Sequence, residues 1–256
     1  MGALQIMPSK ERGNVLPLAI LPALLAASAL AQDRDDRIAR LAALESRLAE
    51  LETEIGLLED TKAIKRLQRA YGYYLDKGLW SELGELFADD PETSVEYADA
   101  GVYVGKERIR QYMRQLVDGD REEGQLFNYM IMQGVVNVAP DGLTAKGRWR
   151  ALIQVGQHGE SAVWVEGPYE NEYIKEDGTW KFHKINWYQT LAAPYEPGWH
   201  FEAIPMAGIV EDFPPDRPPT EVYESYPGAY LPPYHYANPV SGRCEPGVCR
   251  EADSDE

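Results

Sequence analysis

The chain has 256 residues and a formal net charge of -17. Because nucleic acids are bound through clustered Lys and Arg, this acidic balance argues against a nucleic-acid partner, and it also disfavours anionic membrane surfaces. The length allows one folded body of roughly 130 to 150 residues together with extensions.

The N-terminus has the layout of a secretory signal peptide. Lys10 and Arg12 precede the apolar run 15–27, and the small-residue sequence 29–31 follows it. We predict a signal peptide over residues 1–31, cleaved near Ala31, and a periplasmic or secreted protein. The alternative is a retained membrane anchor. Because the apolar run is short for a bilayer span, we expect no stable anchor after cleavage.

Residues 32–59 are charged and amphipathic. Apolar residues recur three and four positions apart, at Leu41, Leu44, Leu48, Leu51, Ile55 and Leu58. This spacing predicts a coiled-coil helix of about two and a half heptads. It would pair between subunits or fold onto its own body, and a solvated spacer helix is the alternative. The pattern predicts a break at residues 60–62, where Asp60 or Thr61 would cap a new helix.

The next helix carries the first candidate site residues. Its apolar stripe includes Tyr71 and Tyr74 at helical spacing. On an ideal helix Asp76 would project away from this stripe, but Lys77 and Gly78 can end the helix and let the carboxylate turn back. Tyr71 and Asp76 would then meet at the mouth of a cavity. The alternative is a core tyrosine and a solvated aspartate.

The remaining body reads as helices followed by a meander of strands. Short helices are predicted over 81–88 and 108–117, with a strand over 94–97 between them. Four longer strands rich in β-branched and aromatic residues are predicted over 128–138, 144–155, 162–175 and 179–191. Turn sequences separate these four strands. The order predicts an α+β domain with a curved antiparallel sheet over residues 60–192.

A proline-rich and aromatic-rich extension occupies residues 193–256. Disordered tails are poor in aromatic residues, so we expect an extended strap that lies on a surface, either its own or that of a neighbouring subunit. Export would place Cys244 and Cys249 in an oxidising compartment, where they would form a disulfide.

Five motifs follow one another along the body. They are Tyr71-x4-Asp76 with Trp80, Leu86-Phe87-Ala88-Asp89-Asp90, the run 104–109, the run 167–172 and the run 177–182. The series resembles the SnoaL-like branch of the nuclear transport factor 2-like superfamily over about residues 60–191. The resemblance implies a cone in which about three helices close a bent sheet around an apolar cavity, in a homodimer or homotrimer. Relatives include ketosteroid isomerases, scytalone and bile-acid dehydratases, polyketide cyclases and bacterial lyases of lignin diarylpropanes.

The resemblance assigns roles to some residues and departs at others. Tyr71 and Asp76 match the phenol and carboxylate that serve as acid and base in dehydratase-like members. Histidines often begin the next long strand in those relatives, but Asn128 and Tyr129 stand there in this chain. Asn171 likewise replaces the aspartate of a Tyr-x-Asp step that begins at Tyr169.

Together these considerations predict a cavity site that needs no cofactor and no metal. The predicted catalytic residues are Tyr71, Asp76, Asn128 and His183. The predicted substrate-binding residues are Tyr74, Trp80, Tyr129, Met132, Trp149, Tyr169, Asn171 and Trp187. Because His183 should lie on the sheet face opposite Phe182, a satisfied or exposed histidine is the alternative there.

The leading hypothesis is an exported lyase or dehydratase that acts by general acid-base catalysis on a hydrophobic, hydroxylated aromatic compound. A lignin-derived diarylpropane losing water and formaldehyde is one version. The alternatives are a non-catalytic periplasmic binding or scaffold module, and an isomerase that uses Asp76.

Overall fold

The computed structural model describes residues 20–116, 119–244 and 247–249, with side chains from Leu30 onward. Most of the predicted signal peptide, residues 1–19, lies outside the described residues, as do residues 250–256. The chain divides into two compact units, Met1–Glu54 and Ile55–Glu256. Within the described part of the chain, no helix is both long enough and apolar enough to cross a membrane.

Helix α1 extends over Ile20–Lys77 without the predicted break at residues 60–62. The two expected caps make other contacts. Asp60 accepts a hydrogen bond from Trp180 Nε1 at 2.8 Å and pairs with Lys175 at 2.7 Å. The hydroxyl of Thr61 donates to the Leu57 carbonyl one turn earlier. With neither Gly nor Pro at this point, the backbone has no reason to leave the helix.

Two short helices and seven strands follow in the described part of the chain. The helices are α2 (Trp80–Glu85) and α3 (Lys106–Leu116). The strands are β1 (Ser94–Tyr97), β2 (Val102–Val104), β3 (Gln125–Val138), β4 (Thr144–Gln157), β5 (Ser161–Glu176), β6 (Thr179–Trp187) and β7 (Leu191–Pro194). The predicted last strand is therefore two strands, with a break before Leu191.

The strands form one curved, unclosed sheet in the order β2-β1-β6-β5-β4-β3, and β7 pairs with β5. Neighbouring strands are antiparallel except β1 and β6, which are parallel. The sheet and its three helices confirm the predicted α+β cone. A register shift between Met132 and Val135 bends β3, and Gly134 lies there because a Cβ would meet the Trp149 ring at 2.1 Å.

Side chains of β4 and β5 alternate between the two faces of the sheet, as the sequence predicts. Trp149 and Tyr169 are buried in the core on the inner face, where α1, α2 and α3 also contribute side chains. Arg148 and Glu170 lie on the outer face and form an ion pair. The inner face therefore holds the candidate cavity, and the outer face holds charge.

The C-terminal extension lies on the body of its own chain. Arg217 bridges to Val102 on β2, and Asp216 pairs with Arg108 of α3 at 2.6 Å. Further along, the main-chain N–H and hydroxyl of Thr220 both donate to Glu96. Cys244 and Cys249 of the extension form a disulfide, as predicted.

Candidate functional site

A partly open cavity of about 200 Å³ lies against the inner face of the sheet. Its wall is mostly apolar, and the polar groups are few: three phenols, Tyr97, Tyr112 and Tyr129, with Asp99 and Gln189. Among the described residues, the buried Tyr112 hydroxyl has no hydrogen-bond partner. Apolar lining comes from Leu116, Phe127, Ile153, Val155, Val165 and Trp187, and from Ala207, Gly208 and Val210 of the extension. The extension therefore forms part of the wall of its own chain's cavity.

Four buried tyrosines form a chain of hydrogen bonds that ends in this wall. The hydroxyl of Tyr71 bonds to that of Tyr97, which lies 3.0 Å from the hydroxyl of Tyr169. Tyr169 in turn bonds to Tyr129. Three hydrogen bonds among four hydroxyls use three of the four hydrogens. The fourth has only a weak acceptor at hand, the Met113 thioether sulfur at 3.6 Å from the Tyr71 hydroxyl, so it remains available for a stronger one. When Tyr97 or Tyr129 carries it, that hydrogen can point at a ligand.

Burial keeps these phenols protonated. Desolvation raises the pKa of Tyr71, Tyr97, Tyr129 and Tyr169 above the usual value of a tyrosine. Neighbouring phenols add to the rise at Tyr97, Tyr129 and Tyr169, because ionising one of them would place a negative charge beside the others. At Tyr71 the hydrogen bonds with neighbouring phenols partly offset the rise in pKa. At neutral pH the tyrosine chain is therefore a hydrogen-bond donor and a poor base.

Asp76 lies just behind the cavity wall. Gly78, with φ of +65°, follows the end of α1. The Asp76 carboxylate is 7% exposed and accepts the Tyr129 N–H at 2.5 Å. Burial raises the pKa of this carboxyl group, while the Tyr129 N–H and the charges of Lys77 and Arg121 partly offset that rise. Asp76 is therefore buried against β3 and is not the solvated aspartate of the alternative interpretation.

Tyr71 and Asp76 do not meet, which corrects the expectation from the sequence. Tyr71 is fully buried and reaches the wall only through Tyr97. Asp76 reaches it only through the main chain of Tyr129. The two groups approach the cavity through different wall tyrosines, and neither lines it.

The other two predicted catalytic residues do not line the cavity. Asn128 alternates with Tyr129 on β3 and donates to Gln154 on the opposite face at 2.8 Å. His183 lies on the outer face, where its Nδ1 is 3.9 Å from Asp90 Oδ1. Both placements follow from strand alternation, since each residue's neighbour, Tyr129 or Phe182, occupies the core.

The predicted substrate-binding residues fall into three groups. Tyr129 and Trp187 line the cavity, and Tyr169 contacts the wall phenols Tyr97 and Tyr129. A second group forms a separate core network, in which Trp149 donates to Tyr173 at 2.8 Å and Asn171 donates to Gln68 at 3.0 Å. The third group lies away from the wall: Trp80 donates to Asp120, Met132 is 37% exposed, and Tyr74 packs at the edge of the core.

Four wall residues with polar groups were missed by sequence reasoning: Tyr97, Asp99, Tyr112 and Gln189. Tyr97 ends the predicted strand 94–97, and Asp99 follows in the turn, where its carboxylate accepts the Gly208 N–H at 2.9 Å. An aromatic residue at the end of a buried strand could have marked Tyr97. Asp99 had no local signal, because its partner lies more than one hundred residues away in the extension.

Among the described residues, no group of three or more His, Cys, Asp or Glu side chains is arranged to hold a metal ion. The polar groups of the cavity are therefore the phenols, the Gln189 amide and the Asp99 carboxylate, with Asp76 behind them. Such a set can bind an apolar ring and donate a hydrogen bond to an oxygen on it.

Comparison with known families gives a match to the SnoaL-like domain over residues 57–186. The chain belongs to the SnoaL-like family. It thus falls in the nuclear transport factor 2-like superfamily, as its motifs indicated. This SnoaL-like chain is also similar to solved structures of the same fold. One, from Novosphingobium aromaticivorans DSM 12444, is named after scytalone dehydratase, and it is 21% identical over 62% of this chain and 97% of its own, with a TM-score of 0.48.

A second similar structure is the type 3 hexachlorocyclohexane dehydrochlorinase LinA of Novosphingobium barchaimii LL02. It is 21% identical over 55% of this chain and 93% of its own, with a TM-score of 0.48. The Kfla4162 protein of Kribbella flavida is 14% identical over 53% of this chain and 93% of its own, with a TM-score of 0.46.

Proposed function

We propose that this SnoaL-like protein is a lyase of the dehydratase type, acting without a cofactor on a hydrophobic small molecule with a hydroxylated aromatic ring. The observation that carries the proposal is the tyrosine chain ending in an apolar cavity. Its spare O–H would bind a phenolate or leaving hydroxyl at Tyr129 or Tyr97. Dehydratases occur in this family, which also supports the proposal.

The proposed reaction needs one proton acceptor and one donor. A base takes a proton from carbon, the neighbouring C–O bond breaks, and hydroxide leaves as water after gaining a proton, so that a C=C bond forms without any redox change. Asp76 is our candidate for the base, because a carboxyl group with a raised pKa exchanges protons nearer neutral pH. In this role it would reach the substrate only after the Tyr129 segment of β3 moves aside. Asp99, which lines the cavity, is the competing candidate.

The size of the cavity bears on the substrate class. About 200 Å³ is below the roughly 300–1,000 Å³ of most ligand pockets, so the volume of this cavity suits one ring. A diarylpropane would require the 207–210 segment to move outward. With a diarylpropane, the base would take the proton of the terminal hydroxymethyl O–H. Formaldehyde would then leave by C–C cleavage, and the benzylic hydroxide would depart as water after gaining a proton.

The test is ultraviolet spectroscopy of the purified protein with one-ring and two-ring hydroxylated aromatic compounds, watching for a conjugated product. With an active compound, we expect Tyr129→Phe to lower kcat/KM roughly 100-fold, since it removes a donor at developing charge. Tyr73→Phe is the matched control, because Tyr73 is 69% exposed on α1.

Comparing Asp76→Asn with Asp99→Asn identifies the base. Loss of turnover in Asp76→Asn alone supports the first candidate, and loss in Asp99→Asn alone transfers the role to the wall carboxylate. Full turnover in Tyr129→Phe and in both Asn variants would reject the proposed mechanism.

A non-catalytic binding module is the second candidate. The observation in its favour is that Asp76 has no direct access to the cavity, while the wall phenols have pKa values too high for a base. Saturable binding of a one-ring phenol, weakened in Tyr129→Phe and accompanied by no product with any compound, would favour the module. An isomerase differs only in returning the proton to another carbon.

We also propose export to the periplasm or beyond the cell, with cleavage near Ala31. The sequence of residues 1–31 supports it, and the Cys244–Cys249 disulfide is typical of an oxidising compartment. Mass spectrometry of the protein from its native host would decide. A mature N-terminus at Gln32 is expected, and a chain that keeps residues 1–31 would contradict the proposal.

A further inference from the structure

Helix α1 carries an exposed apolar stripe that we call the heptad stripe: Leu41, Leu44, Leu48, Leu51, Ile55 and Leu58. These side chains are between 38% and 70% exposed. Six large aliphatic residues along one line of a helix are far more than scattered surface residues, and such contiguous apolar surface marks an interaction site. The spacing places them at alternating a and d positions of a heptad repeat.

The flanking charges indicate what covers the stripe. With Leu41 at position a, the g positions are Arg40, Arg47 and Glu54, and the e positions are Glu45, Glu52 and Glu59. In a parallel, in-register coiled coil, each g residue faces the e residue five positions further along the second helix. Arg40 then faces Glu45 of a second copy, and Arg47 faces Glu52.

The third pair, Glu54 with Glu59 of the second copy, is repulsive, so two of the three pairs attract. An antiparallel arrangement would instead pair e with e and g with g, so that the repulsion of Glu45 and Glu52 cancels the attraction of Arg47 and Glu54. Arg47 also contacts Glu50 of its own helix at 2.8 Å. That contact is solvent-exposed, so it competes weakly with an interchain pair.

We propose that a second copy of this chain docks on the heptad stripe to form a parallel, in-register, two-stranded coiled coil. The choice of a second copy rests on charge complementarity, since the arginines that flank the stripe face glutamates of an identical helix. Leu at every d position and Ile55 at one a position are compatible with two strands. The role of the stripe is independent of the cavity and of any chemistry there.

The first experiment measures the mass of the full-length chain by sedimentation at several concentrations. We expect two copies for the wild type and a monomer for Leu44→Glu/Leu51→Glu. The matched control is Ala43→Glu/Ala49→Glu, which adds the same charge on the opposite side of the helix and should stay dimeric. A monomeric wild type, a three-copy mass or an unchanged mass in the Leu variant would overturn the proposal.

Orientation is tested by disulfide cross-linking. Leu44→Cys should cross-link to itself in a parallel coil, because position 44 faces position 44. In an antiparallel coil, cross-links would form only when Leu44→Cys is mixed with Ile55→Cys, and this result would overturn the parallel arrangement. The native cysteines are already joined to each other and do not interfere.

Charge exchange tests the choice of partner. Arg40→Glu/Arg47→Glu and Glu45→Arg/Glu52→Arg should each weaken self-association by about tenfold, because attraction becomes repulsion at these pairs. Mixing the two variants should restore a dimer that contains one copy of each. If the mixture fails to pair, or if neither variant alone is weakened, the flanking charges do not select a second copy.

Discussion

Buried polar groups are satisfied in different ways on the two faces of strands β4 and β5. On the inner face, neutral hydroxyls hydrogen-bond to one another beside an apolar cavity, as between Tyr169 and Tyr129. On the outer face, Arg148 and Glu170 form an ion pair that is nearly covered by the extension. Adjacent residues of one strand, Tyr169 and Glu170, belong to the two different arrangements.

The polar network on the outer face consists mainly of charged side chains. Glu170 accepts from Arg148 and lies 2.7 Å from His235 Nδ1, while His235 Nε2 is 3.0 Å from Asn137 Oδ1. The Arg148 guanidinium also lies 3.7 Å from the centre of the Tyr234 ring. Buried charge tolerates the loss of a partner poorly, whereas neutral hydroxyls tolerate it better. The outer face should therefore be the more sensitive to single polar substitutions.

The largest effect is expected from Glu170→Gln. The substitution leaves the Arg148 charge almost buried without its carboxylate and also removes the charged partner of His235. We expect a loss of about 3 kcal/mol in the free energy of unfolding, the usual size when one member of a buried ion pair is removed. Urea denaturation of the two proteins at neutral pH measures it. If Glu170→Gln lost less stability than an inner-face variant, the outer face would not be the more sensitive of the two.

A smaller effect is expected from Tyr169→Phe on the inner face. Removing this hydroxyl deprives both Tyr97 and Tyr129 of a partner inside the core. The expected destabilisation is about 1–3 kcal/mol, the cost of leaving buried hydroxyls unsatisfied. Urea unfolding measures it, and Tyr71→Phe, which deprives only Tyr97 of a phenol partner, should lose less. Equal losses would mean that the hydroxyls do not act as a chain.

Asp76 allows the inner face to be tested by pH. Because burial raises the pKa of this carboxyl group above its unfolded value, the folded protein binds the proton more tightly, and the stability that Asp76 contributes falls as pH rises through that window. Asp76→Asn keeps an oxygen for the Tyr129 N–H and removes this dependence. The stability of the variant relative to wild type should therefore increase from about pH 4 upward. Parallel pH profiles in urea unfolding would contradict it.

The contrast between the two faces could be predicted from sequence only in part. Alternation placed Tyr169 and Asn171 opposite Glu170, and Arg148 opposite Trp149, because strand geometry is local. The cone-shaped fold was predicted from the family resemblance. The partners of these residues could not be predicted, since Tyr97 meets Tyr71 and His235 meets Glu170 through contacts distant in sequence. The continuous helix through Asp60 was missed for the same reason: its carboxylate bonds to Trp180.

The smallest loss of stability is expected from Glu166→Gln, which tests whether burial causes the sensitivity of the outer face. Glu166 pairs with Arg150 at 2.7 Å on the same outer face, but Arg150 is 53% exposed, whereas Arg148 is 13% exposed. In Glu166→Gln the arginine keeps its hydration, so the free energy of unfolding should fall by no more than about 0.5 kcal/mol. Urea unfolding beside Glu170→Gln makes the comparison with the same substitution on the same strand. If the two variants lost equal stability, burial beneath the extension would not be the cause of the sensitivity at Glu170.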